Sequence, residues 1–305
     1  MQAIAQRAVS MPSVGILALG IEGRAARVRE GLLKLGYVDG RDIRLEERAA
    51  GDHYARLAEI AGEYVRLKVD VIVAIGTTAT VAASKATSTI PIVMVAGVDP
   101  VKEGLAASLS RPGGNLTGVT TIVQEMVPKR LQLTKEAMPG LTRVGILWNP
   151  DSKGSTNSLS QAREAAKSLN LQLQIVEARS AGDLDKAFES LAKTRTKVFV
   201  SLPTTMFSAN RGQLLESAAK YRVAGVFSSG EWADGGGLIA YGPDAFEADR
   251  HSAVYVDKIL RGAKPGDLPI EQPTRLEMVV NLKTAKALGI TIPQSILLRA
   301  DRVIE

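Results

Sequence analysis

The 305-residue chain contains no cysteine. That removes thiol nucleophiles, disulfides, cysteine-bound metals and a lipid-bearing N-terminal cysteine in one step. Histidine is almost as scarce: His53 and His251 are the only two, on separate segments. Neither a Ser-His-Asp triad nor a histidine-rich metal centre is easily assembled from them, so neither metal nor cofactor is expected. Aromatic residues make up 4%, and the 38 basic residues are dispersed among 32 acidic ones with no dense basic block. A nucleic-acid surface needs basic clusters or stacking aromatics. The net charge of +6 therefore reads as a solvated basic surface, and no nucleic-acid partner is expected. No apolar run reaches the roughly eighteen residues of a membrane-spanning helix. The N-terminus has no basic stretch leading into an apolar one, but Ala3-Ile4-Ala5 before Gln6 has the small-x-small form of a signal-peptidase site. Residues 1–12 are read as the remnant of an export signal or as a plain tail.

What is present is an ordinary apolar share, 45%, over a length sufficient for two domains. SVGILALG at 13–20 returns as RVGILWNP at 143–150, and each opens a unit of short apolar strand, loop and amphipathic helix. The first helix is expected over 23–35, with Ala25, Val28, Leu32 and Leu35 on one face; its counterpart is expected over 158–169. Each unit continues with a strand (43–47; 172–177), a helix (53–67; 181–192) and a third strand. The third strands end in Gly76-Thr77-Thr78 and Pro203-Thr204-Thr205, and fourth strands follow within 90–100 and 223–232.

Alternating strands and helices predict an α/β fold of two Rossmann-like lobes, each a parallel sheet flanked by helices. Two glycine-rich passages, RPGGNLTGVT at 111–120 and GGGLIAYGPD at 235–244, read as crossings between lobes. A helix over 246–260, the linker GAKPGDLP, a strand at 277–281 and a helix at 282–288 complete the reading. Both lobes are thus discontinuous: 13–118 with about 243–275, and 119–242 with about 276–305, joined by a multi-segment hinge.

EGLLKLGYVDGRDIRLEER, VDVIVAIGTTATVAASKATSTIPIVM, DPVKEGLAASLSRPGGNLTGVT, VDKILRGAKPGDLP and VVNLKTAKALGITIP resemble the ABC-transporter substrate-binding proteins of the tryptophan- and tyrosine-binding type. The resemblance runs from about residue 13 to the end with motif order kept. It implies a type I periplasmic-binding-protein-like fold, a three-segment hinge and a small molecule held between the lobes. It also implies a periplasmic or extracytoplasmic location, an ABC permease as partner, and a monomeric receptor without catalysis.

Strand-end loops are where ligands sit in such sheets. One lobe offers Leu19-Gly20-Ile21-Glu22, Gly76, Thr77, Thr78 and Asp99. The other offers Asn149, Ser155, Thr156, Thr204, Phe207, Gly230 and Glu231. Hydroxyls and free N–H groups at a helix start suit a carboxylate without a buried arginine; a helix cap is the competing role for Thr77 and Thr78. Glu231 or Asp99 suits an ammonium group, although Asp99-Pro100 is also an ordinary turn pair. Trp148, Phe207, Trp232 and Tyr241 lie beside these loops and favour an aromatic or apolar amino acid, with core packing the default for Trp148 and Tyr241. A small-molecule enzyme on the same fold is the alternative. Against it stand the missing phosphate loop and the absence of an acid/base arrangement.

Overall fold

The computed structural model describes residues 11–305 apart from Gly20, Asp52, Gln124 and Thr274. The Ala3-Ile4-Ala5 motif and Gly20 of the first loop lie outside the described residues.

Two sheets carry the molecule. The first contains β1 (Ser13–Ala18), β2 (Arg44–Ala49), β3 (Val71–Ile75), β4 (Ile92–Ala96) and β5 (Leu116–Thr120) in the order β2-β1-β3-β4-β5, parallel throughout. Continuous apolar runs such as VIVAI and IVMVA suit strands covered on both faces, and β1, β3, β4 and β5 are buried along their whole length. The charged edge strand β2, RLEERA, is the exception. A π-helical turn at Ile21–Ala25 leads into α1 (Ala26–Lys34); α2 (Arg56–Leu67) and α3 (Thr77–Ala86) follow.

The second sheet contains β6 (Arg143–Trp148), β7 (Gln172–Glu177), β8 (Val198–Ser201), β9 (Ala224–Phe227), β10 (Ile239–Gly242), β11 (Glu277–Asn281) and β12 (Arg302–Ile304). Its order is β12-β11-β10-β9-β8-β6-β7, with only the β10–β11 pair antiparallel among the described strands. The helices are α4 (Val127–Ala137), α5 (Lys153–Ser168), α6 (Leu184–Lys193), α7 (Thr205–Ala209), α8 (Arg211–Lys220), α9 (Gly230–Asp234), α10 (Ala245–Leu260), α11 (Leu282–Leu288) and α12 (Gln294–Leu297).

The repeat at 13–20 and 143–150 thus marks the same place, the inner strand next to the switch in strand order, in both sheets. Helix α10 lies between β10 and β11 of the second sheet in sequence yet packs on α1 and on β3, β4 and β5 of the first. The contact is close: a Cβ on Gly31 of α1 would lie 2.4 Å from the Arg250 carbonyl oxygen of α10. The chain therefore passes between the sheets three times: from β5 to α4, from β10 to α10, and through Glu271 to β11. Glu271 is tied to the first sheet, since its N–H donates to Gly118 O and its carbonyl accepts from Thr120 N.

Arg130 of α4 pins two of these crossings. It is fully buried; its Nε donates 2.9 Å to Tyr241 O and its Nη1 2.9 Å to Val123 O. Burial pushes its pKa down to about 9, which leaves it charged at neutral pH.

Several elements differ from expectation. The helix expected from 158 begins at Lys153, because Ser152 caps it, accepting from Ser155 N. The helix expected from His53 starts at Arg56. The fourth strand of the second lobe ends at Phe227, and Gly230–Asp234 is a helical turn instead. RPGGNLTGVT, read as a passage, contains β5, and the boundary placed at 118/119 falls inside that strand.

Candidate functional site

The strand order reverses between β1 and β3 in one sheet and between β6 and β8 in the other, and ligands collect at such switch points. A cavity of about 520 Å³ lies there. Its first wall comes from the turn after β1 (Leu19, Gly23, Arg24), from Ile75, Gly76, Thr77 and Thr78 after β3, and from Phe246 of α10. Its second wall comes from Ser152, from Pro203, Thr204 and Thr205 after β8, from Ser208, Ala209, Arg211 and Gly212 around the α7–α8 junction, and from Ser228, Ser229, Glu231 and Trp232 after β9. Thr121 and Val123 of the first crossing close the base. The volume falls within the range of about 300–1,000 Å³ common for small-molecule sites.

The two walls touch. One buried apolar cluster joins Tyr54 and Ala79 of the first lobe to Met206, Phe207 and Trp232 of the second. Tyr54 is 9% exposed, and its hydroxyl has no partner in hydrogen-bond geometry; burial pushes its pKa up.

Helix α3 presents its N-terminus to the cavity. Its N-cap is Gly76, at φ 97°, and no side chain caps the first turn. Thr77 and Thr78, the first two residues of the helix, both line the cavity. Thr204 does cap: its Oγ1 accepts from Phe207 N at 3.0 Å at the start of α7.

Arg24 stands on the first wall. Its Nε and Nη2 grip Asp249 of α10, with Nη2 2.6 Å from Oδ1, while Nη1 takes no part in these bonds. The Asp249 carboxyl is fully buried and the Arg24 side chain 21% exposed. Burial alone would favour the neutral forms. The fork-like contact holds the pair ionised, and the Arg24 pKa is raised by Asp249 and by the nearby Glu231 charge. On the opposite wall, burial raises the Glu231 carboxyl above the ordinary range, with partial relief from the Ser229 hydroxyl. Trp232 beside it stacks on Phe227, ring centroids 4.6 Å apart and 5° from parallel.

Of the residues expected at the site, Gly76, Thr77, Thr78, Thr204 and Glu231 line this cavity. Seven do not. Asp99 closes its own turn, accepting from Val101 N and Lys102 N. Asn149 is buried, holding Asp151 N and Arg179 O, while Ser155 Oγ accepts from Asn149 N. Thr156 bonds back to Ser152 O one turn earlier in α5. Phe207 belongs to the apolar cluster. Gly230 faces away, toward Glu277 and Arg302. Tyr241 packs on the second lobe's core and gives its carbonyl to Arg130.

Arg24, Arg211, Ser228 and Phe246 line the cavity without having been expected there. Arg24 lies two residues beyond the first loop as read from sequence, inside a helical turn. Among the described residues no group of carboxylates and histidines is placed to hold a metal ion, and no helix is long and apolar enough to cross a membrane.

The profile of the family described as ABC transporter substrate binding protein matches residues 20–304. A curated relative, the tyrosine-binding protein of Clostridioides difficile, is 27% identical over 283 residues, 91% of this chain and 81% of the relative. Among solved structures, a conserved domain protein of Vibrio cholerae superposes with a TM-score of 0.84 at 25% identity, covering 96% of this chain and 99% of that one. The ABC domain from Streptococcus pneumonia in complex with L-Trp superposes at 0.82 and 23% identity, covering 97% and 100%.

Proposed function

The chain belongs to the ABC transporter substrate binding protein family, and from that premise we propose that it is the extracytoplasmic receptor of an uptake transporter whose ligand is an α-amino acid held between the lobes. One observation carries the amino-acid reading: two opposite charges face one cavity from opposite lobes. Arg24 and the N-terminus of α3 stand on one wall, Glu231 on the other. A zwitterion complements both. Its carboxylate meets Arg24 Nη1 and the Thr78 hydroxyl at the start of α3, and its ammonium group meets Glu231. Arg24 is held for this by Asp249 and so loses little side-chain freedom on binding.

Leu19, Ile75, Trp232 and Phe246 supply apolar wall for the side chain. That supports an aromatic or apolar ligand, as do the tyrosine and tryptophan named for the two relatives. The first lobe is taken as β1–β5 with α10, the second as α4–β10 with β11–β12. Ligand bridges them, the hinge closes, and the closed form docks as a monomer on a membrane permease. No turnover accompanies binding, and no nucleic acid is involved. An affinity near micromolar, about −8 kcal/mol, suits such a receptor.

Native mass spectrometry of gently purified protein tests the reading. The expected result is a retained mass equal to that of a free amino acid, returned unchanged after incubation. A sugar or nucleotide in its place overturns the amino-acid reading. Conversion abolished by a single carboxylate substitution replaces the receptor with an enzyme.

A further inference from the structure

We infer that Arg211 reads the side chain of the ligand, and that the ligand is an amino acid whose side chain ends in a neutral hydrogen-bond acceptor, a hydroxyl or an amide. This rests on the amino-acid reading above.

Arg211 lines the cavity at the first residue of α8 and is only partly exposed. Its position breaks a local rule. A cation at a helix N-terminus opposes the macrodipole, α8 has no acidic residue in its first turn, and its N-cap Asn210 makes no side-chain cap bond. No hydrogen bond or ion pair joins the Arg211 side chain to any described residue. Its charge is felt at Glu231, whose carboxyl it draws down. A residue that violates helix preference without a structural return is where a functional demand is expected.

The charges at the site then sort themselves. Arg24 is matched by Asp249 and left with one nitrogen for a carboxylate; Glu231 takes the ammonium group. Arg211 is left over, five donors with no acceptor. Arg24, Arg211, Asp249 and Glu231 sum to zero, so a zwitterion with an uncharged side chain keeps the closed site neutral. A neutral acceptor satisfies Arg211 at no cost in charge. The adjoining wall leaves room for it: a Cβ on Gly212 would meet nothing within 4 Å.

The test is calorimetric titration with matched pairs, tyrosine against phenylalanine and glutamine against norleucine, on the wild type, Arg211→Met and Arg211→Lys. In any pair that binds, the acceptor-bearing member should bind at least about tenfold tighter to the wild type. Arg211→Met should bring the two to parity by weakening that member alone, and Arg211→Lys should recover part of the gap. Circular dichroism should be unchanged and melting should stay near the wild-type value, since no side-chain bond within the protein is lost and the unfavourable place at the helix start offsets the attraction to Glu231. Parity in the wild type, or a preference that survives Arg211→Met, overturns the inference. So does equal weakening of both members, which would place Arg211 on the α-carboxylate instead. Binding of none of the four, recognised by the absence of heat from every ligand, also overturns this inference, while the amino-acid reading stands or falls on the mass retained in native mass spectrometry.

Discussion

Lys153 and Glu103 meet across the cleft: the Lys153 Nζ lies 2.6 Å from one Glu103 carboxylate oxygen, and Asn157 Nδ2 donates 2.6 Å to the other. Glu103 follows β4 in the first lobe; Lys153 and Asn157 begin α5 in the second. Neither Glu103 nor Lys153 lines the cavity, so the contact reports on closure and not on ligand contact. The Glu103 side chain is 13% exposed and that of Lys153 48%, so solvent screens the pair and it is worth about 1 kcal/mol or less.

Glu103→Gln should therefore weaken ligand binding by about fivefold or less without altering which ligand is preferred. The wild type should lose this difference as salt is raised, since screening acts on the pair and not on the buried site. Titration at low and high salt checks it. Identical affinities at low salt would mean that the contact does not help hold the lobes together.

Thr78→Val separates a grip from a cap. Because the N-cap of α3 is Gly76 and Thr78 is its second helical residue, removing the hydroxyl should leave the melting temperature nearly unchanged. A hydrogen bond to a charged group contributes about 1.5–3 kcal/mol, so affinity should fall by about tenfold or more. A variant that melts well below the wild type but binds normally would place Thr78 in the scaffold.

Glu231→Gln should raise the stability of the unliganded protein and lower its affinity. A carboxyl whose folded pKa lies above its unfolded value is penalised in its ionised form. That penalty is absent well below both values and complete above the folded one. At neutral pH the amide removes it, and melting should rise by about 2 °C per kcal/mol recovered in a chain of this size. Affinity in the wild type should decline as pH falls, starting above the ordinary carboxylate range, because the ammonium group needs the ionised form; the amide variant should show no such decline. Loss of both stability and affinity in the variant would make Glu231 a structural residue.

How much of this was legible in sequence follows from what kind of force sets each feature. The strands VIVAI and IVMVA, helix α10 and the tandem repeat are written in apolar periodicity, which burial makes necessary. That Gly76, Thr77, Thr78, Thr204 and Glu231 line the cavity was legible because strand ends border the switch point whatever the side chains are. Asn149 and Ser155 sit on equally suitable loops, but their polar groups are spent on closing those loops, which only the three-dimensional bond pattern reveals. Arg24 and Arg211 were illegible for the opposite reason. An arginine in a helical turn looks like a solvated face until a buried Asp249, 225 residues away, holds one of them and the cavity takes in both.

Gly76 and Thr205 supply the most direct test of closure. They belong to different lobes, and a Cβ added to Gly76 would lie 3.0 Å from Thr205 Cγ2 and 3.2 Å from its Oγ1. Gly76 also sits at φ 97°, where an L side chain is strained. Gly76→Ala should thus do two separable things. It should lower the melting temperature through backbone strain, at a cost of about 1 kcal/mol or more, and it should lower affinity by holding the lobes apart. The strain lies within the first lobe and has nothing to do with Thr205. The steric block depends on the Thr205 methyl. Adding Thr205→Ser, which removes Cγ2 and keeps the hydroxyl, should therefore restore part of the affinity while leaving the melting temperature depressed. Small-angle scattering with saturating ligand should show a larger radius for Gly76→Ala than for the wild type, with the double variant in between. If Thr205→Ser restores nothing, the glycine is required by its own backbone and the lobes do not close on this contact.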